Sequence, residues 1–500
     1  MGILNEINRL FLEKGSLSEE DEELMKKIQQ EYSERDKKFD KTIFNELEPE
    51  EPERLIKFIS LFADKLILAQ EFIKNYPLYY DESKIWWFWN KKRKYWQMTD
   101  EINILNLIKF ACSSINVVKS GERQEIINAL QLEARKNKPK DVKKTWIQFN
   151  DEIIDLITGE RFFAKSEFFA CNPLPWDLGS STDTPKIDEI FKEWVNTEIN
   201  VISLKEILAF CLIPEYFLHR IFCIIGTGSN GKTCFLRFLR KFLSDENISS
   251  TDLNAIINNR FETTAFHKKL AVLMGETDFH LLSKTAIFKK ACGQEHIKIE
   301  YKNKNSFDYE NYGKIIIATN SLPVTTDKTD GFYRRWKIID FPNKFTEEKD
   351  ILSEIPDEEY KNLALQLTEM AYKLYKTRQF TNDETIEERK NKYEIKSNPL
   401  NAFLREECKN GNYEILFEDF YQNYIDFLLE RGYRIQTKHE VGRLLNFEGI
   451  EKKRKNIQNE FGQLTTAHFL LGIMLKKLQN NKKQTEIGLN NTDNTNNTYI

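Results

Sequence analysis

The spacing of apolar residues changes period several times along the chain, and each change marks a boundary. Residues 1 to about 75 are charged and helical in pattern; LSEEDEELMKKIQQEYSERDKKFD reads as a solvated helix with mixed charge pairs. Pro49-Glu50-Glu51-Pro52 breaks that helix, and a second is expected from about Glu53 to Lys74. From residue 76 the pattern turns aromatic and β-prone. YPLYYDESKIWWFWNKKRKYWQM predicts two strands around a turn at Asp81-Glu82-Ser83. WIQFNDEIIDLITGERFFAKSEFFACNPLPWDL, from Trp146, predicts a similar series with a turn at Thr158-Gly159. Helical spacing returns over residues 185 to 220. Short continuous apolar runs then follow at Ile221 to Ile225, Leu270 to Met274, Lys314 to Ala318 and Lys337 to Phe341, as buried strands require. Between the first two, Phe235, Leu236, Leu239 and Phe242 recur at helical spacing, with Arg237, Arg240 and Lys241 between them.

The last third is again helical. Glu347 to about Lys396 is charged and helical, and Asn398-Pro399 marks a boundary. Residues 400 to 476 predict three helices and a short β pair, with Phe420, Tyr421, Tyr424, Ile425 and Leu428 as an amphipathic stripe. Lys438 to Leu445 fits a recognition helix, and the basic cluster Lys452-Lys453-Arg454-Lys455 follows it. From Gln479 onward the Asn-, Lys- and Thr-rich composition predicts disorder.

Composition narrows the class. A hydrophobic fraction of 40% in 500 residues supports sizeable cores, about three domains on a prior of ~150 residues each. Formal net charge is −4, so contact with a polyanion has to come from local patches. The seven cysteines form no C-x-x-C pair and several sit in apolar runs, the pattern of reduced core thiols in a cytoplasmic protein without a zinc site. No basic-then-apolar leader follows Met1 and no run of about 18 apolar residues occurs, so a soluble, unexported chain without membrane contact is expected. Trp86, Trp87, Trp89 and Trp96 beside Lys91 to Lys94 allow a base-stacking surface, but a hairpin whose aromatic face packs inward is the favoured reading. No stretch has the spaced carboxylates and histidine of a two-metal nucleotidyl transferase; Asp151 and Asp155 are the nearest approach.

The chemistry gathers after the first buried strand. Gly226-Thr227-Gly228-Ser229-Asn230-Gly231-Lys232-Thr233 fits G-x-x-x-x-G-K-[ST], the phosphate-loop pattern. Glycines let backbone N–H groups close on phosphate oxygens, and the following helix start adds unpaired N–H groups and the positive dipole end. Glycine is scarce, at 19 of 500 residues, so a chance match is improbable. Lys232 would reach the β- and γ-phosphates of ATP, and the Thr233 hydroxyl would bind Mg²⁺. The second apolar run ends in Gly275-Glu276-Thr277-Asp278, where a carboxylate can hold Mg²⁺ or polarise water. The third ends in Thr319-Asn320, where an amide can orient water or meet the γ-phosphate. Gly331-Phe332-Tyr333-Arg334-Arg335-Trp336 precedes the fourth.

Taken in this order, the motifs resemble those of superfamily three helicases of the AAA+ class, above all the helicase part of phage, plasmid and poxvirus-type primase-helicases. GTGSNGKT resembles their Walker A loop, LAVLMGETD their Walker B strand, KKACGQEHIKIEYKNK their third motif, IIIATNSLP their sensor-one motif and GFYRRWKIIDFP their arginine-finger motif. The resemblance covers roughly residues 80 to 475 and includes no evident primase domain. It implies an α/β AAA+ P-loop ATPase core over 201–346, preceded by a helical collar or docking arm over 1–75 and an α+β region over 76–200. A helical lid and connector over 347–399, a winged-helix-like DNA-binding domain over 400–478 and a disordered tail over 479–500 complete the expected plan. It implies ATP and Mg²⁺ as cofactors, with Glu276 as the Walker B acid sharing the metal with Thr233. Asp278 is a second carboxylate for that role, Asn320 the sensor, and Arg334 and Arg335 the fingers. Where relatives often carry Gly-Gly-Asp, this chain reads Gly293-Gln294-Glu295. Lys298, Lys302 and Lys304 fall in a segment that resembles the family's DNA-gripping hairpin. The function implied is an ATP-dependent replicative DNA helicase of a virus, phage, plasmid or related mobile element, working as a homo-hexameric ring on single-stranded and forked DNA. Its movement would be 3′ to 5′, alongside a separate primase or polymerase. A DNA-binding initiator or loader with a switch-like ATPase is the alternative, and a small-molecule P-loop kinase a third class.

Overall fold

The computed structural model describes residues 65–111, 120–150, 152–226, 228–275, 281–282, 284–346, 350–431, 433, 435–458 and 464–476. The arm expected over 1–75 lies almost wholly outside these residues, as does the tail over 479–500.

A parallel five-stranded sheet forms the centre. Its strands are β1 (Ile221–Ile225), β2 (Ile248–Thr251), β3 (Ala271–Met274), β4 (Lys314–Thr319) and β5 (Trp336–Asp340). The order across the sheet is β5-β1-β4-β3-β2, with every pair parallel. All residues of β1, β3 and β4 are buried, which explains why they read as unbroken apolar runs: layers cover both faces. Helix α1 (Lys232–Leu243) follows β1 and buries Phe235, Phe238, Leu239, Phe242 and Leu243 against the sheet. Each phenylalanine fully buried there contributes about 1.5–3 kcal/mol. Phe238, absent from the sequence-based stripe, is buried more completely than Leu236, which is only partly covered. The fold is thus mixed α/β with a sheet compatible with a P-loop core.

The aromatic segment forms a three-stranded antiparallel sheet of Leu78–Tyr80, Trp86–Asn90 and Tyr95–Thr99, one strand more than the periodicity predicts. The basic run lies at its second turn, with Lys94 at φ 55°. Trp86, Trp87, Trp89 and Trp96 are all 5% exposed or less, so the aromatic face packs inward as expected. Trp87, Trp89 and Trp96 share a core with Ile153, and Tyr301 and Phe307 of a later hairpin pack against it. A second antiparallel sheet comprises Trp146–Phe149, Glu152–Asp155 and Arg161–Phe163. Asp155 is 4% exposed and serves this sheet, accepting from the Trp146 indole N–H at 3.1 Å and the Ile157 N–H at 3.0 Å.

Residues 399 to 475 hold a separate core around Phe403, Phe420, Tyr424 and Leu470. Its order is helix (Pro399–Glu407), strand (Cys408–Leu416), helix (Phe417–Glu430), helix (Lys438–Phe447) and two strands (Lys452–Gln458, Leu464–Leu475). The sequence pattern predicts three helices and a β pair; the structure has the three helices and adds a third strand, Cys408–Leu416. Asn410-Gly411-Asn412 hides it, because the register shifts between Asn410 and Glu414 and breaks the alternation. Six described cysteines are free thiols. Among the described residues no helix is long and apolar enough to cross a membrane.

Candidate functional site

The phosphate-loop residues fold into a tight cradle at the carboxyl edge of the sheet. Gly228, Ser229 and Gly231 have φ of 105°, 47° and 85°, the left-handed region where glycine carries no Cβ penalty. A Cβ on Gly226 would stand 1.7 Å from Asn230 Nδ2 and 2.6 Å from the Phe341 carbonyl. One on Gly231 would stand 2.5 Å from the Trp194 ring. The loop is tied down from outside: Asn230 Nδ2 donates to the Phe341 carbonyl at 3.0 Å, and Phe345 N donates to the Ser229 carbonyl at 2.7 Å. Thr227 lies outside the described residues.

The register then converges the motifs. Ile225 pairs with Thr319 in β4 and Asp340 in β5, and Ile317 of β4 pairs with Met274 of β3. Residues that follow β1, β3 and β4 therefore emerge along one edge. The Lys232 ammonium, 4% exposed, donates to Gly226 O at 2.8 Å, Asn230 Oδ1 at 2.9 Å and Asn320 Oδ1 at 2.9 Å. Lys232 and Asn320, 88 positions apart, thus touch. Thr233 is exposed in the first turn of α1. Glu276 and Asp278 lie outside the described residues; Gly275, at the end of β3, is exposed. Among the described residues no three His, Cys, Asp or Glu side chains converge on a metal position. Mg²⁺ carried on nucleotide phosphates takes only one or two protein oxygens, so the exposed Thr233 hydroxyl beside the cradle fits the ion's needs.

The arginine pair divides. Arg335 is 6% exposed, and its guanidinium donates to the Gly331 carbonyl and, at 3.3 Å, to the Lys289 carbonyl. Its burial makes it a strut beneath the third-motif turn, where a Cβ on Gly293 would meet its Nη2 at 3.3 Å. Arg334 is exposed. Both precede β5, at the sheet edge opposite the cradle. Five residues of strand span roughly 16 Å, further than an arginine side chain extends.

The expected hairpin pairs His296–Ile299 with Phe307–Glu310 in antiparallel register. Ile297 and Ile299 are buried while His296 and Lys298 face outward. Lys298 is engaged by Asp308 at 3.0 Å. Lys302 and Lys304 are exposed at the tip. The turn end is anchored by Tyr301, whose hydroxyl lies 3.0 Å from His267 Nδ1. Burial, reinforced by Lys268 and Lys269, pushes the His267 pKa down to about 3.

The basic cluster of the last domain lies on a strand, and its charges are partly committed. Lys455 pairs with Glu414, Lys453 approaches Glu451 at 3.9 Å, and the Lys452 ammonium sits 3.6 Å above the Phe417 ring. Arg454 is exposed. Lys438, at the start of the preceding helix, pairs with Glu418.

Pattern matching did not assign a role to the Asn230 side chain, to Trp194 behind Gly231, or to Arg389, whose Nη1 donates to the Arg334 carbonyl at 3.2 Å. The positions marked x in the loop pattern carry no signal for Asn230. The other two come from helices, 37 positions before and 55 after the residues they meet, where nothing local betrays them.

Residues 224–335 match the model of a family of unknown function (DUF5906), less than a quarter of the chain. No curated protein matches the chain. Among solved structures, an A-form apo structure of the NrS-1 C-terminal region aligns at 13% identity and TM-score 0.41, covering 82% of this chain and 99% of that one. A further structure of the same region aligns at 16% identity and TM-score 0.42, covering 77% and 88%.

Proposed function

We propose that this chain is an ATP-hydrolysing motor of the AAA+ kind that translocates on single-stranded DNA as a homo-hexameric ring and serves DNA replication as a helicase. The observation that carries the reading is the 2.9 Å contact between Lys232 Nζ and Asn320 Oδ1 at the carboxyl edge of the β5-β1-β4-β3-β2 sheet. That edge, beside the strand whose neighbours run in from both directions of the chain, is where open α/β sheets take ligands.

In this reading the cradle N–H groups and the start of α1 hold the phosphates, and Lys232 exchanges its present acceptors for phosphate oxygens. Thr233, with Glu276, holds Mg²⁺, which neutralises charge on the β- and γ-oxygens when bound. Asn320 keeps the Lys232 ammonium aimed at the cradle and orients the attacking water, with Asp278 as the second acid. Arg334, being exposed and on the far edge, acts on a neighbour's nucleotide. The tip lysines Lys302 and Lys304 grip the DNA backbone, an interaction indifferent to base sequence. The helix–strand–helix–helix–strand–strand order of the last domain supports reading it as a winged helix that binds duplex DNA through Lys438 to Phe447 and Arg454.

The test is ATP turnover by the wild type and by Lys232→Ala, with and without single-stranded DNA. Wild-type turnover should rise with DNA, and Lys232→Ala should be inactive while remaining folded. Wild-type rates in a folded Lys232→Ala protein would end the assignment. Strand displacement by the purified wild type separates a helicase from a loader whose ATPase is only a switch.

A further inference from the structure

Helix Ile386–Ser397, capped by a Thr385–Glu388 box, lies against the turn that carries Arg334. Its polar side chains reach four places on the motor. Tyr393 donates its hydroxyl to the Pro323 carbonyl at 2.9 Å, just past the Asn320 loop. Lys392 donates to the Ile338 carbonyl in β5 at 2.7 Å. Glu394 accepts from the Tyr333 hydroxyl at 3.0 Å. Arg389, 4% exposed, donates from Nη1 to the Arg334 carbonyl at 3.2 Å and pairs through Nη2 with Asp383. Asp383 also takes Arg220 at 2.9 Å, and Arg220 immediately precedes β1.

This cluster is poorly built for stability. Two guanidinium groups share one carboxylate in a buried setting, and the Nε atoms of both Arg220 and Arg389 have no hydrogen-bond partner. Burial, and next the charge of Arg220, hold the Arg389 pKa below its ordinary value. An apolar filling would be as stable or more so. What the charged cluster supplies is geometry: it fixes one backbone carbonyl, that of Arg334. The next carbonyl, of Arg335, is held by the N–H of Ile221 at 2.5 Å. The finger turn is therefore pinned on both sides to the foot of β1, the strand that ends in the phosphate cradle.

We propose that Arg389 is a positioning residue for Arg334: anchored by Asp383 and Arg220, it holds the Arg334 carbonyl and so sets the direction in which the Arg334 side chain leaves the subunit. The inference rests on the reading of Arg334 as an arginine delivered to a neighbour's nucleotide. Arg389 itself touches no nucleotide, so its removal should spare ATP affinity and lower turnover. Misplacing a reacting group by about 1 Å can cost on the order of 10²-fold in rate.

The experiment uses full-length Arg389→Ala, with thermal unfolding and native mass spectrometry to check folding and ring assembly. The dissociation constant of a fluorescent ATP analogue should match wild type, while kcat falls by about 10²-fold. Mixed with Lys232→Ala, whose finger turn is intact, part of the turnover should return, because intact cradles then face intact fingers. Full turnover by Arg389→Ala alone overturns the proposal. So does a loss that mixing does not repair, or a loss explained by failed assembly. A parallel mixture of Arg334→Ala with Lys232→Ala tests the underlying reading separately. Recovery there without recovery for Arg389→Ala rejects only the positioning role; no recovery in either rejects delivery in trans as well. Should Arg389→Ala fail to fold, Arg389→Gln, which keeps a donor for Asp383 but loses the fork, carries the same comparison.

Discussion

At the residue scale, two positions make demands that a substitution exposes. Gly231 combines φ 85° with a Trp194 ring 2.5 Å from any added Cβ, whereas Gly228 has φ 105° and open space around it. The conformation alone costs about 1–2 kcal/mol for a residue with a side chain. Gly231→Ala should therefore weaken ATP-analogue binding at least tenfold, and more than Gly228→Ala, by titration calorimetry. Equal losses in the two would show that Trp194 gives way. His267 makes a different demand. Its folded pKa of about 3 is far below the ordinary ~6.5, so between these values the unfolded chain binds a proton that the folded one excludes. The stability it permits is full above about pH 6.5 and declines as pH falls toward 3, by up to about 1.4 kcal/mol per unit. Wild type should thus lose more stability than His267→Gln between pH 7.5 and 5.5 in thermal unfolding. Parallel losses would mean that other groups govern the acid limb.

At the scale of elements, the hairpin is divided by function. Its turn end is held by two partly buried aromatics, Tyr301 and Phe307, packed against the tryptophan core of the preceding region. Its tip is polar and carries Lys302 and Lys304 into solvent. A rigid stem with a charged end suits a grip on phosphates. Changing both lysines to alanine should lower DNA-stimulated turnover and strand displacement. The slope of log affinity against log salt for single-stranded DNA should fall by about 0.7 per lysine. An unchanged slope would take the hairpin off the DNA path. Lys298, engaged by Asp308 across the pair, should matter less.

At the scale of the whole molecule, the core of residues 399 to 475 is separate from the one beneath the sheet. The junction combines apolar and polar contacts: Ile395 packs against the C-terminal core, Asn398 Nδ2 donates to Glu448 at 3.0 Å, and Lys396 stands 5.4 Å from the Tyr433 ring. Deleting residues 400 to 500 should weaken duplex DNA binding and leave DNA-independent ATP turnover in place. Equal duplex affinity with and without the segment, in a mobility-shift titration, would assign it a packing role.

What the chain's order of residues determined by itself is local and chemical. A glycine pattern, a lysine and a hydroxyl at fixed spacing predict a phosphate cradle where a strand precedes and a helix follows, and both are written in the apolar period. The buried strands were legible for the same reason, since a strand covered on both faces has no polar positions to confuse it. Cys408–Leu416 was not legible, because a bulge at Asn410-Gly411-Asn412 erases the alternation that identifies a strand. Tertiary structure alone decided the contacts between distant segments. It brought Asn320 to Lys232, turned Arg335 inward while leaving Arg334 exposed, and set Arg389 on the Arg334 carbonyl. It also buried Lys314 with its ammonium on the Ile213 carbonyl and 4.5 Å from the Phe210 ring, where burial lowers its pKa to about 7. Adjacent arginines look alike in a sequence. Which of them is buried depends on the strand, helix and carbonyls that close around them, and those come from elsewhere in the chain.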